Sequence, residues 1–340
     1  MTLHPAEDES AGRLRVLDLA REGSGPGLAE EVRRGLASGG RKSLPPKYFY
    51  DELGSLLFEA ICLLPEYYLT RAENEIFERH APEIAAAAAG GSRLTLLELG
   101  SGSAGKTRLI IEALLARQGT LTYAPVDISR SALEASARAL VESYPALCVA
   151  AHHGDYDAAL PRLAETIEPA GRALVLFLGS NVGNFNREGS RAFLAALRRS
   201  LRAGDAVLLG ADLRKERAAL EAAYDDAHGV TAAFNLNLLS RINRELGADF
   251  DLRAFRHAAL YDEAEGRVEM YLESRRPQTV NFPALGLAVG FDEGERVHTE
   301  NSYKYDLEEL SSLASVAGFR VAETWLDSGR RFSSSLLVAD

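Results

Sequence analysis

The rhythm of hydrophobic and polar positions divides the chain into blocks. From about residue 94 short apolar runs alternate with longer stretches: LTLLELG, TRLIIEALLARQ, LTYAPVD, SRSALEASARALVESY and ALCVAAHHGDY. The runs read as strands and the stretches between them as amphipathic helices, so the series is βαβαβ. It continues through ALVLFLGSNVG, a helix over NREGSRAFLAALRRSLRAG with Asn186 as its N-cap, and AVLLGAD. About five strands with so little polar alternation imply a sheet buried on both faces, mostly parallel and doubly wound. After Asp212 the alternation breaks into a long helical region, KERAALEAAYDDAHGVTAAFNLNLLSRINRELG, and then a hairpin pair, RAFRHAALYDE and GRVEMYLESRR. This block reads as an inserted or appended substrate module. The end of the chain, DLEELSSLASVAGFRVAETWLDS and RFSSSLLVAD, predicts a helix, a strand and a last strand suited to completing the sheet. The alanine run at 86–89 reads as helix.

Composition narrows the setting. A chain of 340 residues that is 46% hydrophobic has enough apolar material for two domains. Its two cysteines, Cys62 and Cys148, lie far apart and point to neither a disulfide framework nor a zinc knuckle, which fits the cytoplasm. The N-terminus lacks a basic segment leading into an apolar run, and no stretch approaches the roughly 20 apolar residues of a membrane helix. A formal charge of -11, with scattered basic residues, would repel a polyanion, so a small-molecule partner is expected and neither nucleic acid nor membrane. His152 and His153 invite a metal reading, but no third ligand stands at suitable spacing, and no metal is expected.

The chemistry begins at residues 97–107, LELGSGSAGKT, where three readings overlap. Gly100, Gly105, Lys106 and Thr107 satisfy the P-loop pattern, and Gly100, Gly102 and Gly105 satisfy the dinucleotide pattern. An acidic residue on an apolar strand followed by G-x-G also opens the S-adenosylmethionine loop of class I methyltransferases. A P-loop enzyme needs a magnesium-holding acid on another strand. ALVLFLGS ends without one, and AVLLGAD offers only Asp212 behind Gly210 and Ala211. Asp127, about 20 residues past the glycines, suits a ribose in either remaining reading. Glu98, and the pair Asp155-Tyr156 after the third strand, favour the methyltransferase, where such a pair reads the adenine amino group and stacks on the ring. Against this stand plainer roles: Glu98 as partner of a helix N-terminus and Tyr156 as core. Lys106 then has a use in pairing the cofactor's carboxylate.

Several segments outside the loop strengthen this choice: PPKYFYDELGSLLFEAICLLPEYYLTRAENEI, FLGSNVGNF, AAYDDAHGVTAAFN, RVEMYLESRR and HTENSYKY. Together they resemble the S-adenosylmethionine-dependent histidine Nα-methyltransferases of ergothioneine biosynthesis, over roughly residues 44–305. The resemblance implies an α/β protein with a Rossmann-like, doubly wound class I methyltransferase sheet and a second, smaller α+β substrate domain. Residues 72–213 and 306–340 would form the first, and 1–71 and 214–305 the second. It also implies methyl transfer from S-adenosylmethionine to the α-amino group of L-histidine, up to three times, to the trimethyl betaine hercynine, by a monomer. Carried over by residue, Gly100, Lys106, Asp127, Asp155 and Tyr156 would bind the cofactor. Asn184 and Tyr224 would hold the substrate carboxylate, and Tyr50 and Tyr67 would flank the amine, with Tyr50 as the catalytic group. Glu300 and Ser302 would read the imidazole beside Met270. Whether Asn301 adds a ring contact or points away stays open. The alternatives are a relative acting on tryptophan or tyrosine, and a P-loop ATP-binding protein.

Overall fold

The computed structural model describes residues 12–19, 27–37, 40–168 and 170–340; the N-terminal reading above lies mostly outside them. The chain begins with strand β1 (Leu14–Asp18) and helix α1 (Leu28–Ala37). A 3-10 turn at Pro46–Phe49 and helices α2 (Glu52–Cys62) and α3 (Leu69–Ala89) follow. The alternating block gives β2 (Leu94–Leu99), α4 (Thr107–Gln118), β3 (Leu121–Asp127), α5 (Arg130–Ser143) and β4 (Leu147–His153). It continues with α6 (Tyr156–Thr166), β5 (Arg172–Phe177), a 3-10 turn at Asn181–Asn184, α7 (Arg187–Arg199) and β6 (Ala206–Asp212). Then come α8 (Arg217–Tyr224), α9 (Val230–Leu246), β7 (Phe255–Asp262), β8 (Arg267–Ser274), β9 (Gln278–Phe282), β10 (Leu287–Phe291) and β11 (Arg296–Tyr303). The last elements are α10 (Leu307–Val316), β12 (Phe319–Leu326) and β13 (Phe332–Ala339).

The large sheet has the order β1-β4-β3-β2-β5-β6-β13-β12. Strands β2 to β6 pair in parallel, as their unbroken apolar runs require: every residue of β2 and of β6 is buried. The order runs one way from β2 to β4 and the other from β5 to β6, which puts a topological switch between β2 and β5. Ligands of open α/β sheets bind at the carboxyl edge of such a switch, where the glycine loop and the Asn181–Asn184 turn emerge. Strand β13 completes the sheet as expected, but antiparallel, between β6 and β12. Asn186 caps α7 by accepting from the Gly189 amide at 2.7 Å.

The block after Asp212 contains a three-stranded antiparallel sheet, β11-β8-β7. The long helical region is broken into α8 and α9, because Asp226 turns to accept from the amides of Val230 and Thr231. Hairpin β9-β10 lies in a stretch to which sequence reading assigned no element; it is held by Phe250, Phe282 and Phe291, with Phe250 5.5 and 6.1 Å from the other two rings. The chain before residue 72 differs from the expected division. Strand β1 extends the large sheet along β4, whereas Ser43 and Leu44 join β11 at His298. The expected boundary at 72 also falls inside α3, which packs on α4 and β13.

Candidate active site

The glycine loop links the end of β2 to α4. Gly100 has φ +76, and a Cβ there would come within 2.8 Å of the Tyr156 hydroxyl and 3.0 Å of Asn181 Nδ2, so only glycine fits. Asp127 ties the loop down, accepting from the Gly102 amide at 2.7 Å and the Ser129 amide at 2.8 Å. Burial raises its carboxyl above the usual range, and those amide bonds oppose the rise. Each of its oxygens keeps acceptor capacity for a ribose hydroxyl. Ser101 adds a buried hydroxyl with no partner among the described residues. The loop residues present therefore fit the cofactor.

Other expected positions carry structural duties as well. Asp155 caps α6 through the Ala158 amide at 2.9 Å, and Tyr156 packs 5.7 Å from both Phe177 and Phe193. Glu98 takes the plainer of its two readings. It accepts from the Thr107 hydroxyl at the start of α4 and from Tyr123, and burial lifts it to about 7. Lys106 is ion-paired with Glu73 of α3, which is fully buried and also accepts from the Gly179 amide at 3.0 Å. Glu73 lies in the segment ending YYLTRAENEI that carries the resemblance, but sequence reading gave it no role, since its partner Lys106 is 33 positions away.

The same bonds bear on the P-loop alternative. The Thr107 hydroxyl is spent on Glu98, and Asp212, the candidate magnesium ligand, is flanked by Lys215 at 2.5 Å and Lys304 at 2.9 Å. A carboxylate already neutralised by two ammonium groups is a poor magnesium ligand.

On the substrate side, Tyr50, Phe58, Tyr67 and Tyr224 form a row of rings with successive centroids 5.7, 6.1 and 6.2 Å apart. Phe58, to which sequence reading gave no role, fills the gap between Tyr50 and Tyr67 in this row. Glu300 and Ser302 lie on one face of β11, and Met270 of β8 is the register partner of Glu300. A bulge between His298 and Glu300 re-aims the strand. It resolves Asn301, which faces away and accepts from His298 Nε2 at 2.9 Å. The Asn181–Asn184 turn abuts this strand: a Cβ on Gly183 would lie 2.7 Å from the Tyr303 carbonyl oxygen.

Glu300 is the electrostatic centre of this face. It is 8% exposed, no described group donates a hydrogen bond to it, and burial raises its carboxyl to about 7 against the opposing charge of Lys304. Burial, then Glu300, pushes the Tyr50 phenol well up; Tyr156 and Asp127 add to the rise from the cofactor side. Beneath Tyr224 lies a network that sequence reading missed: Lys304, fully buried, donates to Tyr224 at 2.8 Å and Ser302 at 2.9 Å and pairs with Asp212.

An acid-led glycine loop at the switch of a parallel sheet closed by an antiparallel last strand defines a class I S-adenosylmethionine-dependent methyltransferase. The chain belongs to the family described as histidine-specific, SAM-dependent methyltransferase, whose profile matches residues 28–339. It is 42% identical over 320 residues to a histidine N-alpha-methyltransferase of Mycolicibacterium smegmatis, across 94% of this chain and 97% of the relative. A protein of the same description from Mycobacterium tuberculosis is 43% identical over 90% of this chain and 94% of its own. An L-tryptophan methyltransferase of Psilocybe serbica is 30% identical over 93% of this chain and 95% of its own.

Proposed function

We propose that the chain methylates the α-amino nitrogen of L-histidine with S-adenosylmethionine, up to three times, ending at the trimethyl betaine. The observation that carries this reading is Glu300: a buried carboxylate with no hydrogen-bond donor among the described residues, on the face of β11 beside Ser302 and Met270. An imidazole N–H supplies the missing donor, whereas an apolar ring leaves a buried charge unpaired. Asn184 and Tyr224 take the substrate carboxylate in this reading, and the enzyme acts as a monomer in the cytoplasm. No helix among the described residues is long and apolar enough to cross a membrane.

The cofactor, when bound, supplies an electrophilic methyl group with a thioether as leaving group. The residues of the chain then have to align an amine and free its lone pair. Lys106, held by Glu73, pairs the cofactor's carboxylate, and Asp127 accepts from the ribose. Tyr50 and Tyr67 both have phenols raised by burial, so they stay protonated and neutral. A neutral phenol accepts a hydrogen bond from the amine and passes a proton onward; it is not itself a strong base. The upward shift therefore favours orientation and relay over proton abstraction by Tyr50. The aromatic row around the amine also suits a cation that grows with each methyl group.

The test is kcat/KM for histidine and tryptophan in the parent and in Glu300→Ala. Histidine turnover should fall by roughly 100-fold while tryptophan, whose single indole N–H cannot meet both Glu300 and Ser302, loses less and so gains in relative terms. A variant that keeps the parental preference contradicts this role of Glu300.

A further inference from the structure

Lys304 is the last residue but one of the string HTENSYKY and has no part in the chemistry above. A fully buried ammonium is tolerated only when its hydrogens are matched, and all three are: Asp212 Oδ2 at 2.9 Å, Tyr224 Oη at 2.8 Å and Ser302 Oγ at 2.9 Å. Tyr224 and Ser302 are themselves 2.7 Å apart, a separation that requires a hydrogen between them. Burial is the main cause that raises the Tyr224 phenol, so it keeps its proton. Two hydroxyls therefore bring two hydrogens, both oxygens already accept from Lys304, and one hydrogen lies between them. A single hydrogen is left to face the substrate.

We propose that Lys304 is a positioning residue that makes donation by Tyr224 and donation by Ser302 mutually exclusive, so that a substrate carboxylate bound to Tyr224 turns Ser302 into an acceptor for the ring. This rests on the reading of the site given above. When Tyr224 gives its hydrogen to the carboxylate, Ser302 gives its own to Tyr224. The remaining lone pair of Ser302 then meets a ring N–H, and Glu300 shares a proton with the second ring nitrogen. The two ends of the amino acid are thereby read together, and a ring with one N–H and no second nitrogen satisfies only one of the two groups facing it.

The experiment is a double-mutant cycle of Tyr224→Phe and Ser302→Ala, with kcat and KM for histidine measured separately in the parent and in a Lys304→Met background. Lys304→Met leaves Asp212 paired with Lys215, and an unchanged affinity for S-adenosylmethionine by calorimetry checks the fold. Lys304→Met itself should raise KM by roughly tenfold with kcat within about threefold. In the parent the double variant should lose much less than the product of the single losses, because breaking either hydroxyl breaks the pair. In Lys304→Met, where the ammonium no longer bridges the two oxygens and only their direct hydrogen bond joins them, the coupling should weaken and the losses should move toward multiplication. Multiplicative losses in the parent overturn the proposal, as does the same coupling in both backgrounds. If Lys304→Met does not fold, the cycle in the parent and its repeat in Lys304→Gln decide on the same criteria. A parent that does not methylate histidine at all would instead overturn the functional reading.

Discussion

Burial holds the Glu300 carboxyl at about 7, against an ordinary 4.5. An acid whose pKa is higher in the folded than in the unfolded state binds more protons when folded, so stability falls as pH rises between those values. Glu300→Gln removes that dependence. Between pH 4.5 and 7.5 the parent without ligands should lose about 2–3 kcal/mol relative to the variant, measured by urea titration. Glu98 is raised to about 7 as well but contributes equally to both proteins. Equal pH slopes would mean that Glu300 is not a strained charge. Asp127→Ala should weaken S-adenosylmethionine binding by about 1.5–3 kcal/mol by calorimetry, and unchanged affinity would place the ribose elsewhere. At this scale the glycine loop and Asp127 were legible because their spacing is local. Glu73 and Lys304 were not: their partners, Lys106 and Asp212, are brought in by packing from 33 and 92 positions away.

The contact of the Asn181–Asn184 turn with β11 is the element-level feature most exposed to a single change. A Cβ on Gly183 would press on the Tyr303 backbone, oxygen at 2.7 Å and nitrogen at 3.2 Å, and backbone cannot swing aside. Gly183→Ala should lift the turn, displace Asn184 and raise the histidine KM by roughly tenfold, while cofactor affinity stays near the parental value. An unchanged KM would remove Asn184 from the carboxylate site. The apolar runs announced the parallel strands, and Asn186 announced the start of α7. The β11 bulge left no such mark, because it inserts one residue into a period-2 pattern that reads equally well either way. Strand β1 was missed since LRVLD sits isolated, with β4, its pairing partner, more than 130 positions on.

For the whole molecule, the proposed reading draws one site from both sheets: the glycine loop at the switch of the large sheet for the cofactor, and β11 with Glu300 and Ser302 for the substrate. Ligands of both sheets should therefore stabilise the same folded unit, by about 2.7 kcal/mol for each ligand present at a hundredfold excess over its Kd. Thermal unfolding with S-adenosylmethionine and then histidine should show two successive rises, and ATP none; a rise with ATP alone would revive the P-loop reading. The doubly wound class was readable from alternation and the loop together, whereas the side chains proposed to choose the amino acid, such as Glu300, Met270 and Tyr50, meet only in the folded chain. The most direct measurement of the central claim is mass spectrometry of purified protein given S-adenosylmethionine and an equimolar mixture of histidine, tryptophan and tyrosine. Histidine should pass through mono- and dimethyl forms to the trimethyl betaine while the other two remain unmodified; untouched histidine, or tryptophan or tyrosine consumed before it, would contradict the account.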